Sequence, residues 1–215
     1  GESYLHNVVH VSLTMVLCFI LKPLGRESWK DPLNGWFFID LLCIGLVIAI
    51  QVYISWDIDE YILRRGFYET QDMAVGVVMM LLVLEATRRA VGWVMMALVV
   101  FFLVQTLYGE VFFSIFFGPN VKWTFIINDL FMEEGGIYSI PITVSATYVV
   151  LFILFGAFVM RTGVGELFTD VAYALTGKQI GGPAKAAVLS SAFMASISGS
   201  AVSNVATTGA VTIPL

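Results

Sequence analysis

Charge is scarce in this sequence. Only 13% of its 215 residues are Asp, Glu, Lys or Arg, about half the share found in a soluble domain. Hydrophobic residues make up 59%, and mean hydropathy is +0.88. So little charge cannot coat a water-facing surface, and the chain reads as an all-α polytopic membrane protein. Basic residues are scarcer than acidic ones, 11 against 16, for a net charge of −5. That balance argues against nucleic acid as a partner. There are two cysteines, Cys18 and Cys43, each inside an apolar run, so they read as packing residues rather than a disulfide or a metal site. The two histidines, His6 and His10, stand four apart, a spacing that can hold a metal but lacks a third ligand here. An interfacial helix end is the simpler reading.

The apolar runs predict about five transmembrane helices, with amphipathic interfacial helices between them. Tyr4 to Leu21 is a first span, followed by a loop carrying Lys22, Arg26 and Lys30 between Pro23 and Pro32. Trp36 to Trp56 is a second span with tryptophan at both ends, as interfacial belts require. Asp40 lies one turn inside it, and Gln51 near its far end; both are expected to reach a headgroup region or a neighbouring helix. An acid-rich connection, 57–72, leads to a third span from about Asp72 to Val91. Glu85 precedes Arg88 and Arg89 by three and four residues, so the three are expected to pair on one helix face. A turn then separates Gly92 to Tyr108, another apolar run. The aromatic-rich stretch from Gly109 to Ser139 fits an amphipathic helix on the membrane surface. Ile140 to Met160 is a fifth span, and Arg161 to Gln179 is amphipathic, with Leu167, Phe168, Val171, Ala172 and Leu175 as its stripe.

The last stretch, GGPAKAAVLSSAFMASISGSAVSNVATTGAVTIPL (Gly181 to Leu215), has a different pattern. Pro183 suits a first helical position. The small apolar run from Pro183 to Ile197 rises about 22 Å, too short for a hydrocarbon core of about 30 Å. It meets Ser198-Gly199-Ser200 and is followed by a second short run. Two short limbs around a Ser-Gly-Ser break read as a re-entrant helical hairpin, tolerated at membrane depth only where protein buries it or it lines a cavity. Ser198, Ser200, Ser203, Asn204, Thr207 and Thr208 offer six neutral oxygen ligands, which suit a monovalent cation such as Na⁺. Packing of helices through small residues is the competing reading.

The same stretch resembles the permease of tripartite ATP-independent periplasmic (TRAP) transporters, most closely the fused permeases that work with TAXI-type binding proteins. LLVLEATRRAVGW (Leu81 to Trp93) and the run from Glu134 to Lys178 are also similar to that family. The first sixty residues match it only in hydropathy. The resemblance implies three parts: small-subunit-like scaffold helices over 1–92, a bridging helix and surface connection over 93–134, and the start of the large transporting subunit over 135–215, with an arm helix and the first hairpin. It implies an elevator-type secondary carrier in which a periplasmic TAXI-type solute-binding protein delivers an organic anion, and a Na⁺ gradient drives uptake. Carried onto this chain, Ser198, Gly199, Ser200 and Asn204 would hold Na⁺. Ser200, Ser203, Asn204, Thr207 and Thr208 would meet the substrate.

Charge placement predicts orientation. Loops 22–34, 85–92 and 161–185 carry eight of the eleven basic residues, so the positive-inside rule puts them in the cytoplasm and residue 1 on the periplasmic side of a bacterial or archaeal inner membrane. The acidic outward loops, 57–72 and 109–139, are equally readable as docking surfaces for the binding protein or as solvated faces. A preceding span and a second hairpin in the remaining part of the same permease are expected beyond the two ends. An accessory scaffold subunit without its own transport site is the alternative. An enzyme is not expected, because Ser198 and Ser200 have no histidine or lysine base close by in sequence.

Overall fold

The computed structural model describes residues 2–25, 35–56, 58–67 and 69–197. These are helical, with no strand among the described residues. Three helices are long and apolar enough to cross a membrane: Ser3–Leu21, Phe37–Trp56 and Ile140–Val159. The chain divides into two compact units, Gly1–Thr143 and Val144–Leu215.

The first unit is built on three long helices: α1 (Glu2–Leu21), α2 (Phe37–Trp56) and α4 (Thr70–Ala90), with the short α3 (Ile58–Leu63) between the last two. Each long helix buries one narrow face. In α1 it is Tyr4, Val8, Val11, Met15 and Phe19, at spacings of three and four; in α2 it is Cys43, Val47, Ile50 and Ile54. The opposite faces, such as Leu13 and Leu17 or Leu41 and Ile48, stay exposed and apolar. Water would penalise such a surface; lipid does not, so the exposure is what a membrane bundle requires. Val91 and Gly92 separate α4 from α5 (Trp93–Leu107), and Gly92 makes the turn with φ of 109°, a backbone that side chains with a Cβ avoid. The apolar runs on either side of Gly92 are therefore two separate helices, of which neither is among the three long and apolar enough to cross a membrane.

The stretch 109–139 departs from expectation. It is not one amphipathic surface helix. Two single 3₁₀ turns, Gly109–Val111 and Ser114–Phe116, precede a short α6 (Trp123–Ile127) that runs on as a π-helical turn, Asn128–Met132. Ile126, Ile127, Phe131 and Met132 are buried, the last two completely. Of its aromatic residues, Phe131 and Tyr138 are buried, whereas Phe113, Phe117, Trp123 and Phe125 stay exposed; it is Ile127 and Phe131 that fold back onto α4. Gly76 makes that approach possible: a Cβ there would sit 2.5 Å from Ile127 Cγ2 and 3.1 Å from Phe131 Cδ1. Neither atom belongs to a side chain with room to swing away. Gly76→Ala is expected to destabilise the first unit by about 1–3 kcal/mol through overpacking, read as a lower midpoint of thermal unfolding in detergent. An unchanged midpoint would show that α6 can slide away freely.

In the second unit α7 (Ile140–Val144) begins just upstream of the boundary and passes through a π-helical turn, Ser145–Val149, into α8 (Val150–Arg161). Then follow α9 (Val164–Thr176) and α10 (Gly182–Ile197). The fifth span and the amphipathic helix after it thus stand where the sequence put them. Of the expected stripe on α9, however, Ala172 is buried and Phe168 half-buried, while Leu167, Val171 and Leu175 remain exposed.

Candidate functional site

The hairpin residues singled out from the sequence, Ser198, Gly199, Ser200, Ser203, Asn204, Thr207 and Thr208, lie outside the described residues. What is described is the helix that leads to them and its seat. α10 starts at Gly182 with Pro183 next, where a missing N–H costs nothing, and is helical up to Ile197 beside the Ser-Gly-Ser sequence.

Small residues seat α10 on α9. Gly182, Ala186, Ser190 and Met194 form its buried face at a spacing of four, and Thr169, Ala172 and Thr176 form that of α9. Without side-chain bulk the two backbones can approach, and in a membrane such contact takes the place of hydrophobic driving force. Thr169 Oγ1 and Ser190 Oγ are 3.0 Å apart in the buried seam. Thr169 also donates to the Gly165 carbonyl at 3.0 Å, and its single proton then leaves Ser190 as the donor between the two hydroxyls. Met194 closes the seam over Gly165, where a Cβ would come within 2.8 Å of its terminal methyl. Phe168 and Phe193 meet at 5.5 Å. The five-residue connection is tight as well: Thr176 Oγ1 reaches the Gly182 carbonyl across it at 3.4 Å, and Lys185 Nζ donates to Gln179 Oε1. Along 182–197 the described contacts are those of small-residue packing. The serine at 190 belongs to the packing.

The first unit carries two polar clusters, one at each end of its bundle. At one end Arg89, only 3% exposed, pairs with fully buried Asp40 and with Glu85 at 2.6 Å. Arg88 pairs with Glu85 at 2.7 Å, as the spacing predicted. The Leu24 N–H is shared between the two Asp40 oxygens, and Arg89 donates to the Lys22 carbonyl. The cluster thus clamps the exit of α1 and the start of α2 onto the end of α4. The pairing of Asp40 with Arg89 was not foreseen, although a lone acid one turn inside a span is itself a sign that a basic partner is near.

At the other end Asp72, fully buried, accepts a bond from Tyr53 Oη at 2.6 Å and another from Arg64 Nε at 3.1 Å. Burial alone would lower the Arg64 pKa, but the hydrogen bond and charge of Asp72 outweigh it and raise it. Gly66 N–H donates to Asn128 Oδ1, tying the connection after α3 to the fold-back segment. Gln51 does reach a neighbouring helix, accepting from Ser12 Oγ at 2.7 Å. Lys22 and Arg89 thus gather at one end of the bundle, while Arg64 and Arg65 gather at the opposite one, the alternation that the loop charges predicted.

An apolar cleft of about 480 Å³ lies between α4, α5 and α6, with Leu84, Leu98, Phe102 and Phe125 among its walls and Thr106 and Asp129 as its polar side chains. It shares no residue with the hairpin. Among the described residues, no three His, Cys, Asp or Glu side chains gather as a metal site.

Comparison with known proteins gives one family. The family model described as tripartite ATP-independent periplasmic transporter, DctM component, matches residues 78–215, more than half of the chain. No curated protein and no solved structure matches.

Proposed function

The chain belongs to the DctM-component family of tripartite ATP-independent periplasmic transporters, a membrane component for solute uptake, and we propose that it carries an organic anion inward on a Na⁺ gradient. Members of the family work with a periplasmic solute-binding protein and another membrane subunit. On our reading the binding protein is of the TAXI type, and the small-subunit part is fused at 1–92 ahead of a bridging stretch, 93–134, and the transporting part from 135. The match beginning at residue 78, inside α4, concerns the transporting component, and the fusion rests on the hydropathy of the helices before it.

The observation that supports the reading is α10. Over its described residues it is held against α9 by small residues, and it leads toward the Ser198-Gly199-Ser200 sequence. Such a limb delivers a chain break to membrane depth, where free carbonyls, hydroxyls and a helix N-terminus can serve an ion and a carboxylate. Ser198, Gly199, Ser200 and Asn204 would ligate Na⁺; Ser200, Ser203, Asn204, Thr207 and Thr208 would face the substrate. The set is neutral, and a proton-coupled site ordinarily needs a titratable side chain. In this reading the protein sits in the inner membrane with residue 1 on the periplasmic side and moves as an elevator.

The test is uptake by the full-length permease in proteoliposomes with its binding protein, with and without a Na⁺ gradient. Uptake should need both, and Ser200→Ala should abolish it while leaving the amount of reconstituted protein unchanged. Uptake driven instead by a pH gradient would sink the ion assignment. Uptake that survives both Ser198→Ala and Ser200→Ala would leave the hairpin without a role and favour an accessory scaffold.

A further inference from the structure

Where α4, α5 and α6 meet, the first unit holds two adjoining apolar clefts. The larger, about 480 Å³, has Leu84, Leu98, Phe102, Val121 and Phe125 among its walls. The smaller, about 260 Å³, shares Met80, Leu84, Leu103 and Ile126 with it and reaches Trp123. Apart from Met80 and Trp123, the smaller cleft is lined by aliphatic side chains. Thr106 and Asp129 are the polar side chains of the larger one. Thr106 spends its hydroxyl proton on the Phe102 carbonyl at 2.8 Å, and a carboxylate only accepts. No lining side chain has a hydrogen bond left to donate, so a polar guest would be stranded there and hydrocarbon would not.

The size fits a lipid chain. A methylene fills about as much liquid volume as a water, about 30 Å³. The larger cleft therefore holds on the order of fifteen methylenes, the length of a membrane lipid's chain. The smaller one holds part of a second.

Lys122 gives the guest a headgroup. It stands between Val121, a wall of the larger cleft, and Trp123, a wall of the smaller. With Asn120 and Thr124 it lines a hollow that shares Val121 and Phe125 with the larger cleft. Arg64 and Arg65, the other basic residues outside the loops read as cytoplasmic, pair with Asp72 and Glu134. Lys122 is exposed, and among the described residues no acid pairs with it. An exposed lysine beside an exposed tryptophan is what the headgroup level of a membrane favours. Asp129, exposed in the wall of the larger cleft, repels a phosphate, so the negative group belongs at Lys122.

We propose that these clefts bind one diacyl phospholipid of the surrounding membrane, its chains along the two clefts and its phosphate on the Lys122 ammonium. The lipid fills the space that protein leaves between α4, α5 and the fold-back segment, and fastens the three together. The site lies wholly in the first unit, apart from the hairpin. It rests on the chain's membership of a membrane family and not on Na⁺-driven transport.

The test is native mass spectrometry of the full-length permease in detergent, titrated with dioleoyl phosphatidylethanolamine. One lipid should bind well ahead of any further ones. Its affinity should fall about tenfold in Lys122→Glu, which trades a charge-assisted contact for repulsion. Leu98→Trp, which fills the larger cleft from a position 49% exposed, should lower it about as much. Both positions are exposed, so neither change threatens the fold. Lys178→Glu, at an exposed lysine of the second unit, should leave it unchanged, and oleic acid alone should bind more weakly. No preferred first lipid would mean that another part of the permease covers the clefts. Binding undiminished in Lys122→Glu or in Leu98→Trp would place the lipid elsewhere, and an equal fall in Lys178→Glu would reduce the effect to net charge. Each of these results overturns the proposal.

Discussion

Arg89→Ala is expected to lower the stability of the first unit by about 3–5 kcal/mol, the cost of leaving a buried charge uncompensated. Its partner Asp40 is fully buried, and without the guanidinium the carboxylate loses the positive charge paired with it. Glu85 would retain Arg88, so the damage concentrates on Asp40 and on the start of α2. Replacing both ends of the pair by apolar residues, Asp40→Leu with Arg89→Met, should cost less than Arg89→Ala alone, because no charge is then stranded. Arg88→Ala is the comparison: at 19% exposure, with Glu85 also held by Arg89, it should cost about 1 kcal/mol or less. Thermal unfolding and the monodisperse fraction on size-exclusion chromatography read all three. Equal losses for Arg88→Ala and Arg89→Ala would mean that the clamp around Asp40 carries no special weight.

The pairing of Asp40 with Arg89 also marks how far the sequence could be read. Glu85 with Arg88 and Arg89 was legible because helical geometry alone brings positions three and four apart together. Asp40 and Arg89 are 49 residues apart, and their meeting depends on the register of α2 against α4, which hydropathy does not specify. The spans were legible for the same reason in reverse: the burial of α1 and α2 is one-faced, and lipid leaves their remaining surface free to be uniformly apolar. The stretch 109–139 misled because most of its aromatics, such as Phe113, Phe117 and Trp123, are exposed as an interfacial helix's would be, while the backbone breaks into short turns that bury only Phe131 and Tyr138 among them. What decides the fold-back is Gly76, a residue on another helix whose missing Cβ admits Ile127 and Phe131. Along 182–197, a string of small residues read equally as packing and as a hairpin limb. The seam of Thr169 and Ser190 shows that packing occupies the inner face of that helix. The ligand set from Ser198 onward rests on the sequence motif and lies outside the described residues.

Because small residues set the distance between α9 and α10, enlarging one should disable transport without touching an ion or substrate ligand. Ala186 is 1% exposed and sits one turn from Ser190 on the face of α10 turned toward α9. Leucine at that position has nowhere to go except by prising the helices apart. Overpacking of this kind costs about 1–3 kcal/mol, and a displaced α10 carries the Ser-Gly-Ser sequence away from wherever its ligands must converge. Ala186→Leu is therefore expected to cut Na⁺-driven uptake by about tenfold or more while the protein still reaches the membrane. Ser190→Ala serves as the contrast. It removes one hydrogen bond worth about 0.5–1.5 kcal/mol but adds no volume, and Thr169 keeps its bond to the Gly165 carbonyl. Its uptake, normalised to the amount of permease in the membrane, should stay within about twofold of the parent protein, since one such bond is a small part of the total. If instead Ser190→Ala stops uptake and Ala186→Leu does not, the serine serves the transported species directly, and the seam between α9 and α10 is not what positions the first limb.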